Sequence, residues 1–156
     1  MRDSCLLGLI VLLSILSLSS PSFSEGARVV EVIDVDRFLL TNGEEVECLG
    51  IYIPPLSKKF KAEVIAEIRK LTGEKSLKLE FDSTIKAPSG RSQAYIFADG
   101  IFVNAELVKR GYAFLLPSSE KLKHGKYLVE LENQARTEKR GLWNEGYWVT
   151  EPCSCY

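Results

Sequence analysis

Residues 90–113, GRSQAYIFADGIFVNAELVKRGYA, place a strand, a tight turn, a second strand and a helix in unbroken succession. Ala94-Tyr95-Ile96-Phe97 and Ile101-Phe102-Val103 are β-branched and aromatic runs. Ala98-Asp99-Gly100 between them supplies the Asp-Gly pair that hairpin turns favour. Asn104 is positioned to cap a short helix with Ala105, Leu107 and Val108 on one side. Lys109 and Arg110 fall in the last turn, where the macrodipole favours cations, and Gly111 can take the left-handed stop. Just upstream, Gly90-Arg91 ends the loop KAPSGR and delivers a guanidinium to the start of a strand. Its planar fork matches two phosphate oxygens, although an arginine in front of a strand is more often simply solvated.

On the N-terminal side, Val29, Val30, Val32 and Ile33 read as a strand and Phe38-Leu39-Leu40 as a second. Asn42-Gly43 makes a hairpin turn, and residues 46–53 form a third strand. Residues 57–72 follow as a helix. Phe60, Val64, Ile68 and Leu71 make its buried stripe, Lys58, Lys59 and Lys61 stay in water, and Gly73 ends it. Leu77-Lys78-Leu79-Glu80-Phe81 alternates as a half-buried strand. Tyr127, Leu128, Leu131 and Ala135 mark a last helix that stops near Gly141, with Leu142 and Trp143 tucked against the body. A curled meander, a helix and two more strands predict an α+β fold around an oligonucleotide-binding-type barrel.

The chain has 156 residues, 46% hydrophobic and 26% charged, which suits one globular domain with a sizeable core. Twenty basic and 21 acidic residues give a net charge of -1, which argues against tight nonspecific grip on a phosphate backbone while leaving room for a local basic patch. Residues 1–24 read as a signal peptide: Arg2, an apolar core from Cys5 to Leu18, then Ser22-Phe23-Ser24 with small residues at the processing positions. The apolar run is shorter than the roughly 20 residues of a membrane span. The expected organisation is a signal peptide at 1–24, a domain at 25–145 and a cysteine-containing tail at 146–156, with export to the periplasm or the exterior and no transmembrane span in the mature chain. Cleavage leaves Cys48, Cys153 and Cys155, an odd number, and the one-residue spacing of the last two suits neither zinc knuckles nor thioredoxin-like sites.

Gly-Arg at 90–91, Ala-Tyr-Ile at 94–96, Ala-Asp-Gly at 98–100, Val-Asn at 103–104 and Leu-Val-Lys-Arg-Gly at 107–111 together resemble the core of the staphylococcal nuclease (thermonuclease) family. VIDVD at 32–36, LGIYIPP at 49–55 and ENQARTEKRGLW at 132–143 fall in the family's order, so the resemblance covers roughly residues 28–143. It implies a five-stranded barrel with three helices. It also implies hydrolysis of nucleic-acid phosphodiesters with one calcium ion on two aspartates, a glutamate that activates water, and two arginines on the phosphate.

Residue by residue, the match is incomplete. Asp36 matches the first calcium ligand, with Asp34 beside it on the same strand face, and Arg91 matches one phosphate-gripping arginine. Arg37, next to Asp36, could supply a positive charge that a metal would otherwise bring. The other arginine is replaced by Glu47, the second calcium aspartate by Tyr52, and the glutamate base by Pro55. Glu44, Glu45 and Glu47 read as solvated strand residues from which a substitute base is conceivable. His124, the single histidine, reads as a lone surface residue without a carboxylate partner. Lys121, Lys123 and Lys126 read as a solvated run that could steer an anion.

Three functions follow from these residues. The first is a thermonuclease-like domain with impaired or absent activity that binds a ligand or a protein partner through its barrel and uses no cofactor. The second is a working nuclease with a rearranged calcium site. The third is a structural or interaction module of the cell envelope, with Tyr147, Trp148 and the tail cysteines as its contact surface.

Overall fold

The computed structural model describes residues 23–82 and 91–144. Most of the signal-peptide reading and all of the tail, including Tyr147, Trp148, Cys153 and Cys155, lie outside the described residues.

The elements run β1 (Phe23–Ala27), β2 (Val29–Asp34), β3 (Arg37–Leu40), β4 (Glu45–Cys48), β5 (Ile51–Tyr52), α1 (Lys58–Thr72), β6 (Leu77–Glu80), β7 (Ser92–Ala98), β8 (Ile101–Phe102), α2 (Val103–Lys109), β9 (Phe114–Leu115) and α3 (Gly125–Thr137). Single 3-10 turns sit at Ser119–Lys121 and Gly141–Trp143. The main sheet has the order β1-β6-β7-β4-β3-β2, with β8 on β7. Its two ends, β1 and β2, are separated in the chain by Arg28 alone, so the path returns to the segment it left from. The sheet therefore curls round into the five-segment, OB-like arrangement expected from the sequence, with three α-helices around it.

The inside of this curl is apolar throughout. Phe38, Leu40, Val46, Leu77, Leu79, Tyr95 and Ile96 are at most 1% exposed, and Val64 and Ile68 of α1 and Leu128 of α3 join the same core at 0%. Ser57 caps α1 by accepting from the Phe60 backbone N–H at 3.3 Å. Gly73, as expected, follows the last turn and donates to the Arg69 carbonyl. The Asp99-Gly100 turn has φ of 47° and 82°, the left-handed pair that a two-residue hairpin needs.

Among the elements themselves, two expectations differ from what is observed. The third strand is not continuous over 46–53. It breaks at Gly50, whose φ of 80° turns the chain out of the main sheet, so that Ile51–Tyr52 pairs with Phe114–Leu115 instead. A Cβ there would sit 3.2 Å from Leu122 and 3.3 Å from the Ser119 hydroxyl, so the turn is also tightly covered. Asn104 is not a cap. The helix starts at Val103, and Asn104 is 0% exposed within it. Its Oδ1 accepts from Ile96 N–H at 2.9 Å, and its Nδ2 donates to the carbonyls of Leu49 at 3.1 Å and Ala94 at 3.3 Å. One amide thus ties α2 to β7 and to the turn that redirects the third strand.

Candidate functional site

The tight connection from β2 to β3 sets the first part of the site. Asp34 and Arg37 stand opposite each other in the ladder, so Val35 and Asp36 occupy the turn, with Val35 buried and Asp36 partly buried. The Asp36 carbonyl accepts from Cys48 N–H at 2.8 Å, which pins the turn over β4. Asp34 and Asp36 thus share a cleft, but through a turn and not by the alternation of a straight strand.

Their carboxyls have opposite surroundings. Asp34 accepts from Val35 N–H at 2.7 Å and pairs with Lys61 Nζ at 2.9 Å. Burial pushes its pKa up, but the bonds and charges of Lys61 and Val35 outweigh it and hold the group below its ordinary value. Lys61, expected on a solvated helix face, is therefore part of the site. Asp36 enters no ion pair among the described residues. Burial, then the neighbouring charges of Asp34 and Glu47, push its pKa above the ordinary 3.8, against its own backbone N–H and Arg37, which pull it down.

A raised acid is more readily protonated in the folded chain than in the unfolded one. Its contribution to stability is therefore fully present below 3.8 and is lost as pH rises through the folded value. Asp36→Asn should accordingly raise the thermal midpoint by a few degrees at pH 7 and change little near pH 3, as read by thermal melts at the two pH values. Equal effects at both would show that the carboxylate carries no such strain.

The cleft, of about 490 Å³, is lined by Asp34, Asp36, Arg37, Glu47, Lys61 and the 52–56 segment. Its other wall comes from strand register. β4 and β7 run parallel with Glu47 beside Gln93, which brings Arg91 alongside Glu47. Arg91 Nη1 pairs with Glu47 Oε1 at 2.5 Å, and Gln93 Nε2 lies 3.5 Å from the other carboxylate oxygen. Glu47 raises the Arg91 guanidinium above its usual value. The donor fork that would grip a phosphate already holds a carboxylate at the position where the resemblance expects a second arginine. Cys48, wholly buried, is a free thiol pushed well up by burial and by the charges of Asp36 and Glu47, which leaves it inert.

The residues present do not suit calcium. Its usual shell is about six to eight hard oxygens. Asp34 and Glu47 are each engaged with a cation, and the side chains of Tyr52 and Pro55 offer no carboxylate. Among the described residues no group of three or more His, Cys, Asp or Glu is placed to hold a metal ion. Glu44 and Glu45 are exposed and do not line the cleft. Arg37 does line it, and its Nε is buried without a hydrogen-bond partner.

The family model for staphylococcal nuclease homologues matches residues 45–145. The chain belongs to the staphylococcal nuclease family. It is 29% identical over 127 residues to the SPbeta prophage-derived endonuclease YokF of Bacillus subtilis, covering 76% of this chain and 40% of that protein. It is 31% identical over 110 residues to an uncharacterised protein of Bacillus anthracis, covering 67% of this chain and 49% of that one. The chain thus spans about half or less of the length of these relatives. As a thermonuclease homologue it carries an OB-like α+β fold, and Asp36, Glu47, Tyr52 and Pro55 line one cleft, with Arg91 paired to Glu47.

His124 corrects the reading from sequence. It is not a lone surface residue: its Nε2 lies 3.1 Å from Glu80 Oε1, and its ring packs edge-on against Tyr95 at 4.5 Å and Phe102 at 5.2 Å. Glu80 is 6% exposed although β6 alternation would turn it outward, and it also pairs with Lys123. Burial raises the Glu80 pKa, but the bonds and charges from Lys123 and His124 outweigh it and hold the group below its ordinary value. No local pattern could pair residues 44 positions apart. This cluster shares no residue with the cleft.

Proposed function

We propose that this thermonuclease homologue is exported, that its family site hydrolyses phosphodiesters poorly or not at all, and that the domain works by binding. The observation that carries the reading is the Glu47–Arg91 ion pair. An incoming phosphate must displace a carboxylate already bound to the guanidinium and then sit beside its negative charge. Tyr52 and Pro55 point the same way, since the cleft then lacks the second hard-ion ligand and the general base. Family membership supports nucleic acid as the class of ligand, and the charge of the cleft disfavours it as the place where such a ligand sits.

The endonuclease among the relatives favours a second reading, a nuclease in which Glu47 or another carboxylate takes over as base. Calcium separates the two. Titration of the mature chain followed by calorimetry should give no saturable heat. Saturable binding that disappears in Asp36→Ala would establish the second reading and end the first.

Export rests on the composition of residues 1–24. Among the described residues no helix is long and apolar enough to cross a membrane. N-terminal sequencing of the protein recovered from its own cells should begin near Glu25. A chain starting there keeps the Glu25 and Ala27 pairings of β1 with Lys78 and Leu77. Recovery of uncleaved chain from the cytosol would remove this part of the proposal.

A further inference from the structure

Phe97 and Phe102 face each other across the β7–β8 hairpin with rings stacked at 4.7 Å and 20°. Tyr127, in the first turn of α3, continues the series, its ring 6.5 Å from Phe102 and inclined by 19°. In the sequence, Tyr127 marks the last helix together with Leu128, Leu131 and Ala135. It is 51% exposed, while Leu128, Leu131 and Ala135 are buried. The outermost of three near-parallel rings is thus left in water, and His124, itself 3.1 Å from Glu80, packs against Phe102 at 5.2 Å.

Lys126, the residue before Tyr127 on α3, lines an open groove of about 640 Å³ together with Lys121, Lys123, Leu122 and Glu120. Lys123 is engaged by Glu80, whereas Lys121 and Lys126 enter no ion pair among the described residues. Three cations to one carboxylate in this lining stand out on a chain whose net charge is -1. None of these residues belongs to the cleft containing Asp36 and Glu47.

We propose that Tyr127, backed by Phe102 and Phe97, is a stacking platform for the bases of a single-stranded nucleic acid whose phosphates lie along Lys121 and Lys126. A flat ring with a free face takes any base, and lysines beside it act as sequence-indifferent point charges. A duplex does not fit this chemistry, because its bases are already stacked on one another. The contact is noncovalent and needs neither the cleft nor a metal, so it stands whether or not the family site is active.

The test is fluorescence anisotropy of the full chain with labelled single-stranded DNA and RNA of about 12 nucleotides, in chelator. The same sequence as duplex and dextran sulfate, a polyanion without bases, serve as competitors. Single strands should bind and resist both competitors. Tyr127→Ala should weaken binding about 5- to 150-fold and Tyr127→Phe by less than about threefold, the range set by loss of one base stack. Lys121→Ala with Lys126→Ala should reduce the dependence of log affinity on log salt by about 1.4, two phosphates at about 0.7 each. Lys58→Ala, on an exposed face elsewhere, should leave binding as it is. Circular dichroism confirms that Tyr127→Ala is folded, and the double lysine variant reads the same surface if it is not. Duplex or dextran sulfate competing as well as single strands would reduce the surface to plain electrostatics and overturn the proposal. So would absence of binding, or binding lost in Arg91→Ala and kept in Tyr127→Ala, which would put the ligand in the cleft.

Discussion

Glu47→Arg, Tyr52→Asp and Pro55→Glu made together should raise phosphodiesterase activity about 100-fold or more in the presence of calcium, and should make calcium binding measurable. The three changes act on different parts of one machine. Glu47→Arg removes the carboxylate that occupies Arg91 at 2.5 Å and adds a second donor for the phosphate. Tyr52→Asp gives Asp36 a second hard ligand across the cleft that both residues line. Pro55→Glu restores a titratable base, a group that contributes about 100- to 10,000-fold where it acts. Each single change should do little, because a base without a metal, or a metal without a phosphate clamp, stabilises no transition state. Initial rates on single-stranded DNA and RNA for the triple and the three singles decide this. A single variant matching the triple would show that the site had lost one part only.

Asn104→Ala should destabilise the domain by about 2–5 kcal/mol, a large share of the roughly 5–15 kcal/mol that holds an ordinary domain together. The substitution removes the acceptor of Ile96 N–H and the donor to Leu49 C=O, each buried, at about 1–3 kcal/mol apiece. Ala94 C=O is less affected, since it also accepts from Leu49 N–H at 2.9 Å. Asn104→Asp should fare no better, because it loses the donor and buries a charge. Chemical denaturation reads both. A loss below about 0.5 kcal/mol would mean that these backbone groups find other partners and that Asn104 does not tie the turn at Gly50 to the sheet.

The α+β architecture was legible because its signals are local. Asn42-Gly43 and Asp99-Gly100 mark turns, the Phe60, Val64, Ile68 stripe marks α1, and the motifs that carry the family resemblance lie in short runs. The residues set against the family pattern, Asp36, Glu47, Tyr52, Pro55 and Arg91, lie in or beside those same short runs. Pairing across the barrel was not. Arg91 with Glu47, His124 with Glu80 and Lys61 with Asp34 come together only through strand register and helix placement, and each involves residues that look solvated on their own. Asn104 misled because an asparagine between a strand and a helix has a strong local explanation, which its buried position overrides. Gly50 misled for the converse reason, since a glycine in an apolar run carries no sign of whether the chain bends there. Tyr127 marks the start of the last helix as read, but its surroundings do not follow from the helical period: its ring lies 6.5 Å from Phe102 and is half exposed.

The central claim is that the family site in this chain no longer performs phosphodiester hydrolysis, and the rate of the unaltered mature chain on single-stranded DNA and RNA, with calcium and with chelator, tests it most directly. The expected result is no cleavage beyond background in either condition. Calcium-dependent cleavage that Asp36→Ala or Arg91→Ala abolishes would contradict it.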